Sequence, residues 1–514
     1  MSVIICNGNQ ITVIHGILMA IFLINMNERG YKVSISSILL SLFFILNILL
    51  AIIVIFKERR DASASWAWLL VLFFIPVLGF ILYLLFGHNL RRKHLFQWED
   101  RKKIGIERLL KHQLEDLETK QFQFNNRATF DNKDLIYMLI MNNHAVFTED
   151  NSVDVITDGR DKFQRLLSDI SKAKDHIHLQ YYIYKGDELG KKLRDALIQK
   201  AKEGVQVRVL YDELGSRTLR KKFFKELREA GGHVEVFFPS KLRPINLRLN
   251  YRNHRKLVII DGMTGYVGGF NVGDEYLGLN PKFGYWRDTH IRLQGTAVHA
   301  IQTRFILDWN QASHHHTLTY IPNHFPDYGP KGNVGMQIVT SGPDSEWEQI
   351  KNGYIKMISN AKRSILIQTP YFIPDASLLD ALRIACLSGI DVNIMIPNKP
   401  DHAFVYWATL SYIGDLLKAG ATVYIYDNGF IHAKTIVVDD EIASVGTANI
   451  DVRSFRLNFE VNAFIYDITI AKKLVSTFKE DLLVSRKFTY EEYLQRPLWI
   501  RIKESVSRLL SPIL

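Results

Sequence analysis

Two short stretches of this chain carry residues that could work on a phosphate diester. HRKLVIID occupies 254–261 and HAKTIVVD occupies 432–439, and each has the form His-x-Lys-x-x-x-x-Asp. The residues at issue are His254, Lys256 and Asp261 in the first, and His432, Lys434 and Asp439 in the second. Each stretch is followed at the same distance by a glycine and an asparagine, Gly268 and Asn271 or Gly446 and Asn449. The runs LVII and TIVV are short, apolar and β-branched, which predicts buried strands. Residues i and i+2 of a strand share a face, so each imidazole is expected beside its lysine ammonium. An imidazole can attack phosphorus or carry a proton, and a lysine can hold the non-bridging oxygens as charge develops. A lone His-x-Lys is usually a pair of surface residues on an edge strand. The full pattern, present twice with its downstream Asn, is not accidental.

Two acidic residues complete the set. Asp288 in WRDTHIRL and Glu460 in FRLNFEVNAFIYD alternate with apolar positions in predicted strands. A reactive imidazole needs a carboxylate on its second nitrogen to fix tautomer and orientation, and these two are the candidates. Asp261 and Asp439 belong to the catalytic motif by pattern, yet each lies seven residues after its histidine. That odd offset puts them on the opposite strand face, where they would close the following turn. The three histidines at 314–316 cannot all face one ion from a regular element and have no acidic neighbours, so they read as a surface turn. Cys6 and Cys386 stand in unrelated contexts and form no disulfide framework. No metal-ligand cluster, nucleotide-binding glycine loop or serine triad stands out, so the chemistry is expected to need neither metal nor cofactor.

The elements that must position these residues come in two similar sets. ISKAKDHIHLQYYIY at 170–184 matches ISNAKRSILIQTPYFI at 358–373, and AKEGVQVRVLYD at 201–212 corresponds to CLSGIDVNIMIP at 386–397. LREAGGHVEVF at 227–237 corresponds to LLKAGATVYIY at 416–426. Each half reads as strands alternating with helices, an α/β layered architecture, ending in the motif strand and a glycine-containing strand. Duplication places the two motifs at a pseudo-two-fold seam. The halves are expected at 145–328 and 329–514, divided at the Pro-, Gly- and Asn-rich 320–335.

The first 94 residues read as a membrane region. Residues 34–56 carry no charge, and 66–87 form a second apolar run opened by Trp66 and Trp68. Both are long enough to span a hydrocarbon core of about 30 Å. Pro76 and Gly79 should kink the second span. A weaker run, 11–26, reads either as a third span or as an interfacial segment. Lysines and arginines flanking these runs put the large C-terminal part in the cytoplasm of a multi-pass protein of the cell membrane. Residues 95–144 read as a polar linker with a helix in IERLLKHQLEDLETKQFQF. The formal net charge of +11 suits an anionic partner, nucleic acid or acidic lipid, and membrane anchoring favours lipid. KLRPINLRLNYRNHRK at 241–256 adds basic residues before the first motif, either a solvated loop or a rim that gathers anionic headgroups.

The paired motifs resemble those of the phospholipase D superfamily. Within it the chain is most similar to the bacterial cardiolipin synthase family, on ERRDASASWAWLL, IPVLGFILYLLFGHNL, PDHAFVYWA and GTANIDVRSFRLNFE. One departure is Gly269, where the second half has Thr447 and the superfamily usually has Ser or Thr. The resemblance implies duplicated phospholipase D-like domains with the active site at their seam, preceded by transmembrane helices. It implies phosphatidyl transfer between two phosphatidylglycerol molecules through a phosphohistidine, with His254 as nucleophile and His432 as acid and base. The residues alone leave those two roles interchangeable. Lys256, Lys434, Asn271 and Asn449 would hold the phosphate oxygens, and Asp288 and Glu460 would orient the imidazoles. The implied partners are phosphatidylglycerol and anionic membrane lipids, with no nucleic acid. A phospholipase D-type hydrolase is the alternative, and a non-catalytic scaffold is disfavoured because both motifs are complete.

Overall fold

The computed structural model describes residue 42 and residues 45–52, 62–86, 106–509 and 511, apart from 221, 240–249, 314, 328 and 400. The runs 11–26 and 91–103, most of 34–56, and the basic insertion up to 249 lie outside the described residues. The chain divides into two compact units, 1–90 with 241–250 and 91–240 with 251–514.

In the first unit the apolar run at 66–87 is two helices, Ala62–Phe74 and Pro76–Phe86, rather than one kinked span. The break falls at Ile75. Proline has no N–H and favours the first turn of a helix, so Pro76 begins the second helix instead of continuing the first. Trp68 meets Tyr83 edge-on at 5.3 Å, while Trp66, Phe73, Phe74, Leu78 and Ile81 are exposed. Among the described residues, no helix is long and apolar enough to cross a membrane.

The second unit contains the duplication. In the first half the strands lie in the order His233–Phe237, Gln206–Asp212, His176–Tyr181, Leu257–Ile260, Thr264–Gly268, Trp286–Gln294, Phe147–Asp158. The second half repeats it as Thr422–Tyr426, Asp391–Pro397, Ser364–Gln368, Thr435–Val438, Ile442–Gly446, Asn458–Tyr466, Val334–Ser341. Parallel pairing on one side of each sheet gives way to antiparallel pairing at the motif strand. Both motif strands are therefore central and wholly buried, which is why LVII and TIVV show no polar alternation. Phe147 and Thr148 pair with Gln337 and Met336, so the two sheets join edge to edge. Helices such as Gly159–Lys172 and Gln349–Asn360 bury their apolar stripes against these sheets, Leu166 and Ile170 in one half and Ile350 and Met357 in the other. The polar tract before the halves is no free linker. Its helix Ile106–Glu118 is tied to the first strand through Gln113, which donates to the Phe147 carbonyl at 2.6 Å and accepts from its N–H at 3.1 Å.

The expectation that counted Asp261 and Asp439 with the catalytic groups is corrected by their contacts. Each sits in the hairpin turn after its motif strand, in left-handed backbone at φ 54° and 56°. Asp261 accepts from the backbone N–H groups of Lys174, Asp175 and His176 at 2.8–3.0 Å. Asp439 accepts from Lys362, Arg363 and Ser364 at 2.7–2.9 Å. Both carboxylates fasten the corner between a helix and the adjoining strand. Their structural part comes from the turn beyond the strand, not from the opposite strand face that the offset predicted. Asp439→Ala leaves three backbone donors unanswered and is expected to destabilise the fold by about 2–4 kcal/mol. Thermal unfolding of the purified protein checks this, and an unchanged midpoint would contradict it.

Candidate active site

Each motif enters the site by pairing with the other half of the molecule. Arg252–Asn253 runs parallel to Asn458 and Phe459, and Phe430–Ile431 runs parallel to Trp286 and Arg287. The next backbone N–H continues each pairing. His254 donates to the Phe459 carbonyl at 3.0 Å, and His432 to the Arg287 carbonyl at 2.6 Å. One residue further along each receiving strand stands a carboxylate, Glu460 or Asp288. The two-residue ladders thus set the register that brings imidazole to carboxylate.

The His-x-Lys residues themselves are not in a strand, contrary to the sequence reading. The motif strands begin at Leu257 and Thr435, and 254–256 and 432–434 are links between two pairings. Each lysine folds back on its own link. Lys256 Nζ donates to the His254 carbonyl at 2.6 Å, and Lys434 Nζ donates to the His432 carbonyl.

Both imidazoles have their carboxylate across the seam. His254 Nδ1 donates to Glu460, 2.9 Å from Oε1 and 3.0 Å from Oε2, and His432 Nδ1 donates to Asp288 Oδ2 at 2.6 Å. This fixes the tautomer and leaves Nε2 of each ring for chemistry. The two carboxylates are held differently. Glu460 also accepts from the Thr447 hydroxyl at 2.6 Å, whereas Asp288 accepts from the Thr289 N–H at 2.7 Å. Gly269 explains the difference from the usual motif. A Cβ there would fall 1.9 Å from Asp288 Oδ1, so the carboxylate fills the place a Ser or Thr side chain would need.

The asparagines make protein contacts that the motif did not predict. Asn271 accepts from the Ile183 N–H at 3.1 Å and donates to the Tyr276 hydroxyl at 3.1 Å. Asn449 hydrogen-bonds the Asp451 carboxylate through its side chain, and its backbone N–H donates to the Ser454 hydroxyl oxygen at 3.2 Å. The amide groups brace loops around the site. Aromatic rings wall the imidazoles, Tyr182 against His254 at 4.9 Å and Trp286 against His432 at 5.1 Å. His315 and His316 are exposed, with His316 packed on His233 at 4.2 Å, as a surface turn requires.

A buried scaffold missed by the motif reading lies behind these residues. Arg255 donates to both oxygens of Asp308 at 2.8 Å, and reaches the Glu460 and Ser341 carbonyls of the other half at 3.1 and 3.2 Å. Arg287 crosses the seam to Asp481, with Nε–Oδ1 at 3.0 Å and Nη2–Oδ2 at 2.8 Å. The internal repeat held a clue: Gln180 and Gln368 occupy matching strand positions and donate to Asp308 and Asp481 at 2.7 and 2.8 Å.

Burial dominates the electrostatics. It holds both imidazoles below their ordinary range, His432 at about 4, despite the opposing pull of Asp288 and Glu460. It lowers Lys256 to about 7 and Lys434 to about 8. Burial would raise the carboxylates, but Lys434 with His432 keeps Asp288 low, and His254 with Lys256 keeps Glu460 low. The resting site therefore holds neutral imidazoles on ionised carboxylates, beside two lysines whose charge burial has weakened.

A duplicated α/β fold with one His-Lys pair from each half, meeting across a shared seam, defines a two-motif phospholipase D-like protein. The family profile "Cardiolipin synthase, PLD-like domain" matches residues 166–306 and 354–482, and "Phospholipase D-nuclease N-terminal" matches 45–88. The chain belongs to the cardiolipin synthase family. It is 60% identical over 476 residues to a cardiolipin synthase of Listeria monocytogenes serotype 4b, covering 93% of this chain and 99% of that protein. It is equally 60% identical over 480 residues to a cardiolipin synthase of Oceanobacillus iheyensis, covering 93% and 100%. The crystal structure of phosphatidylserine synthase from Haemophilus influenzae superposes with a TM-score of 0.56 at 15% identity, covering 76% of this chain and 100% of that one. That likeness is one of fold.

Gly269→Ala is expected to push Asp288 off His432 and cost about 10²-fold or more in turnover, since a shift of about 1 Å in an active site has that effect. Steady-state kinetics on folded variant would detect it, and wild-type turnover would refute the steric argument. A second expectation concerns pH. The imidazoles become neutral as pH rises through their lowered pKa values, and the lysines lose charge as pH rises through about 7 and 8. The profile of kcat/KM should therefore fall on its alkaline side well below the ordinary lysine value of 10.5 and on its acid side below 6.5. An alkaline limb appearing only near 10 would show that the lysines are not desolvated.

Proposed function

We propose that this enzyme is a phosphatidyltransferase that converts two phosphatidylglycerol molecules into cardiolipin and glycerol. The observation that carries the reading is the site built twice over: two imidazoles, each on a carboxylate from the opposite half, with two buried lysines beside them. The relatives named cardiolipin synthase match almost the whole chain and support the choice of substrate.

In the proposed cycle His254 Nε2 attacks phosphorus of the first phosphatidylglycerol. The bond from phosphorus to the glycerol oxygen breaks, and His432, protonated in the presence of the anionic diester, gives its proton to the leaving glycerol. The phosphatidyl group now sits on His254. A hydroxyl of the second phosphatidylglycerol gives its proton to His432 and attacks phosphorus, and the P–N bond breaks. One diester is consumed and one is formed on the phosphatidyl group, so no nucleotide is needed. The ammonium groups of Lys256 and Lys434 bind the equatorial oxygens in both steps.

The membrane setting is part of the same proposal. The match to the Phospholipase D-nuclease N-terminal profile and the exposed apolar helices Ala62–Phe74 and Pro76–Phe86 support an N-terminal membrane region. We read 34–56 as a span and the paired helices Ala62–Phe74 and Pro76–Phe86 as a further membrane-embedded segment, with the catalytic part on the cytoplasmic side.

The test gives purified enzyme phosphatidylglycerol alone in mixed micelles. Cardiolipin with equimolar glycerol is expected, and His254→Ala and His432→Ala should each lose about 10³-fold or more. Phosphatidic acid as the main product would make water the acceptor and the enzyme a hydrolase. Activity appearing only with a CDP-linked lipid would overturn the donor assignment.

A further inference from the structure

The C-terminal helix Leu498–Leu509 is packed the wrong way round for a protein standing in water. Its buried residues are polar: Glu504 is 3% exposed and Ser507 1%. Its apolar residues face out, Leu498 at 72% exposed, Trp499 at 64%, Ile502 at 45%, Val506 at 48% and Leu509 at 81%. Positions 498, 502, 506 and 509 recur at helical spacing and form one stripe, with Trp499 beside it. The inward face is fixed by specific contacts rather than by loose contact. Glu504 pairs with Arg496, and Arg508 pairs with Asp415 at 2.8 Å and donates to Ser411 at 3.3 Å, on the helix Ala403–Ala419. Those ion pairs set the rotation of the helix, so the outward stripe is imposed by the fold.

We propose that this helix is an interfacial membrane contact, lying in the surface of an anionic bilayer with its apolar stripe among the lipids. Cations border the stripe. Lys503 stands on one side, over the rings of Trp407 and Trp499 at 5.1 and 5.2 Å, and exposed Arg501 stands on the other. An exposed apolar stripe between cations, with a tryptophan at its edge, is complementary to a surface of negative headgroups over hydrocarbon. A second copy of the helix would bring the bordering cations of both against each other, which argues for lipid over self-association. The contact also continues toward the chemistry. Helix Ala403–Ala419, on which the C-terminal helix rests, starts two residues after Asp401, whose charge bears on Lys434, and Phe404 near its start is exposed. The docking surface rests on the proposed function only for its choice of phosphatidylglycerol as the anionic lipid.

The test uses the full chain with Cys6 and Cys386 replaced by serine, reconstituted in vesicles of phosphatidylglycerol and phosphatidylcholine. A nitroxide is attached at Ile502→Cys or, as a control, at Lys192→Cys on the exposed polar face of the helix Glu188–Lys202. The label at 502 is expected to lose most of its collisions with an aqueous nickel chelate and to keep those with oxygen, while the label at 192 keeps both. Equal nickel access at the two positions would overturn the proposal. Dipolar broadening between labels at 502 would show that the stripe meets a second copy and would also overturn it. In phosphatidylcholine vesicles the protection at 502 should weaken; undiminished protection would overturn the assignment to anionic lipid. Cardiolipin formation is assayed on the same vesicles. Immersed labels in a protein that makes no cardiolipin would sink the catalytic reading and leave the docking surface standing.

Discussion

The bonds from His254 to Glu460 and from His432 to Asp288 are the constraint on which the rest depends. Each joins residues from different halves, 206 and 144 positions apart in the chain. To satisfy both at once, the halves must meet in one orientation and one register. The short parallel ladders at Arg252–Asn253 and Phe430–Ile431 set the register, and Arg255 and Arg287 lock the seam through Asp308 and Asp481. Buried ion pairs of this kind are poor sources of net stability, because desolvation offsets most of the attraction. Losing one partner is costly, however, so they penalise every docking but the native one.

Within this symmetry the two sites of attachment differ. Glu460 has one more methylene than Asp288 and is steadied by the Thr447 hydroxyl, while Asp288 sits against Gly269. A longer acid with a hydroxyl partner and a shorter acid pressed on bare backbone reach equivalent nitrogens by different routes. The two imidazoles consequently have unlike surroundings, with Trp286 and Phe430 near His432 and Tyr182 near His254. Two chemically identical rings can then take separate parts in one cycle, a nucleophile and a proton carrier.

Much of this was legible in the sequence because duplication prints the same signal twice. The strands LVII and TIVV follow from their β-branched composition, and the carboxylates Asp288 and Glu460 from their strand context together with the family resemblance. What escaped was set by pairing between halves. Periodicity along one strand cannot show that His254 enters on a ladder with Phe459, nor that the His-x-Lys segment lies outside the strand it precedes. The loop contacts of the Asn271 and Asn449 amides escaped for a related reason. Their partners, the Ile183 N–H and Asp451, are fixed by loop geometry that no local pattern encodes. The inverted C-terminal helix was invisible for the converse reason: its amphipathic pattern is plain, but only packing shows which face points inward.

The crossed pairing of imidazoles and carboxylates also sets a timetable during synthesis. When His254 leaves the ribosome its carboxylate does not yet exist, and Glu460 follows 206 residues later. At about 5–20 residues per second that interval is roughly 10–40 s. Throughout it the first half carries a complete motif whose imidazole has no acid to orient it. A nascent chain is therefore chemically silent toward phosphodiesters until nearly its whole length has been made.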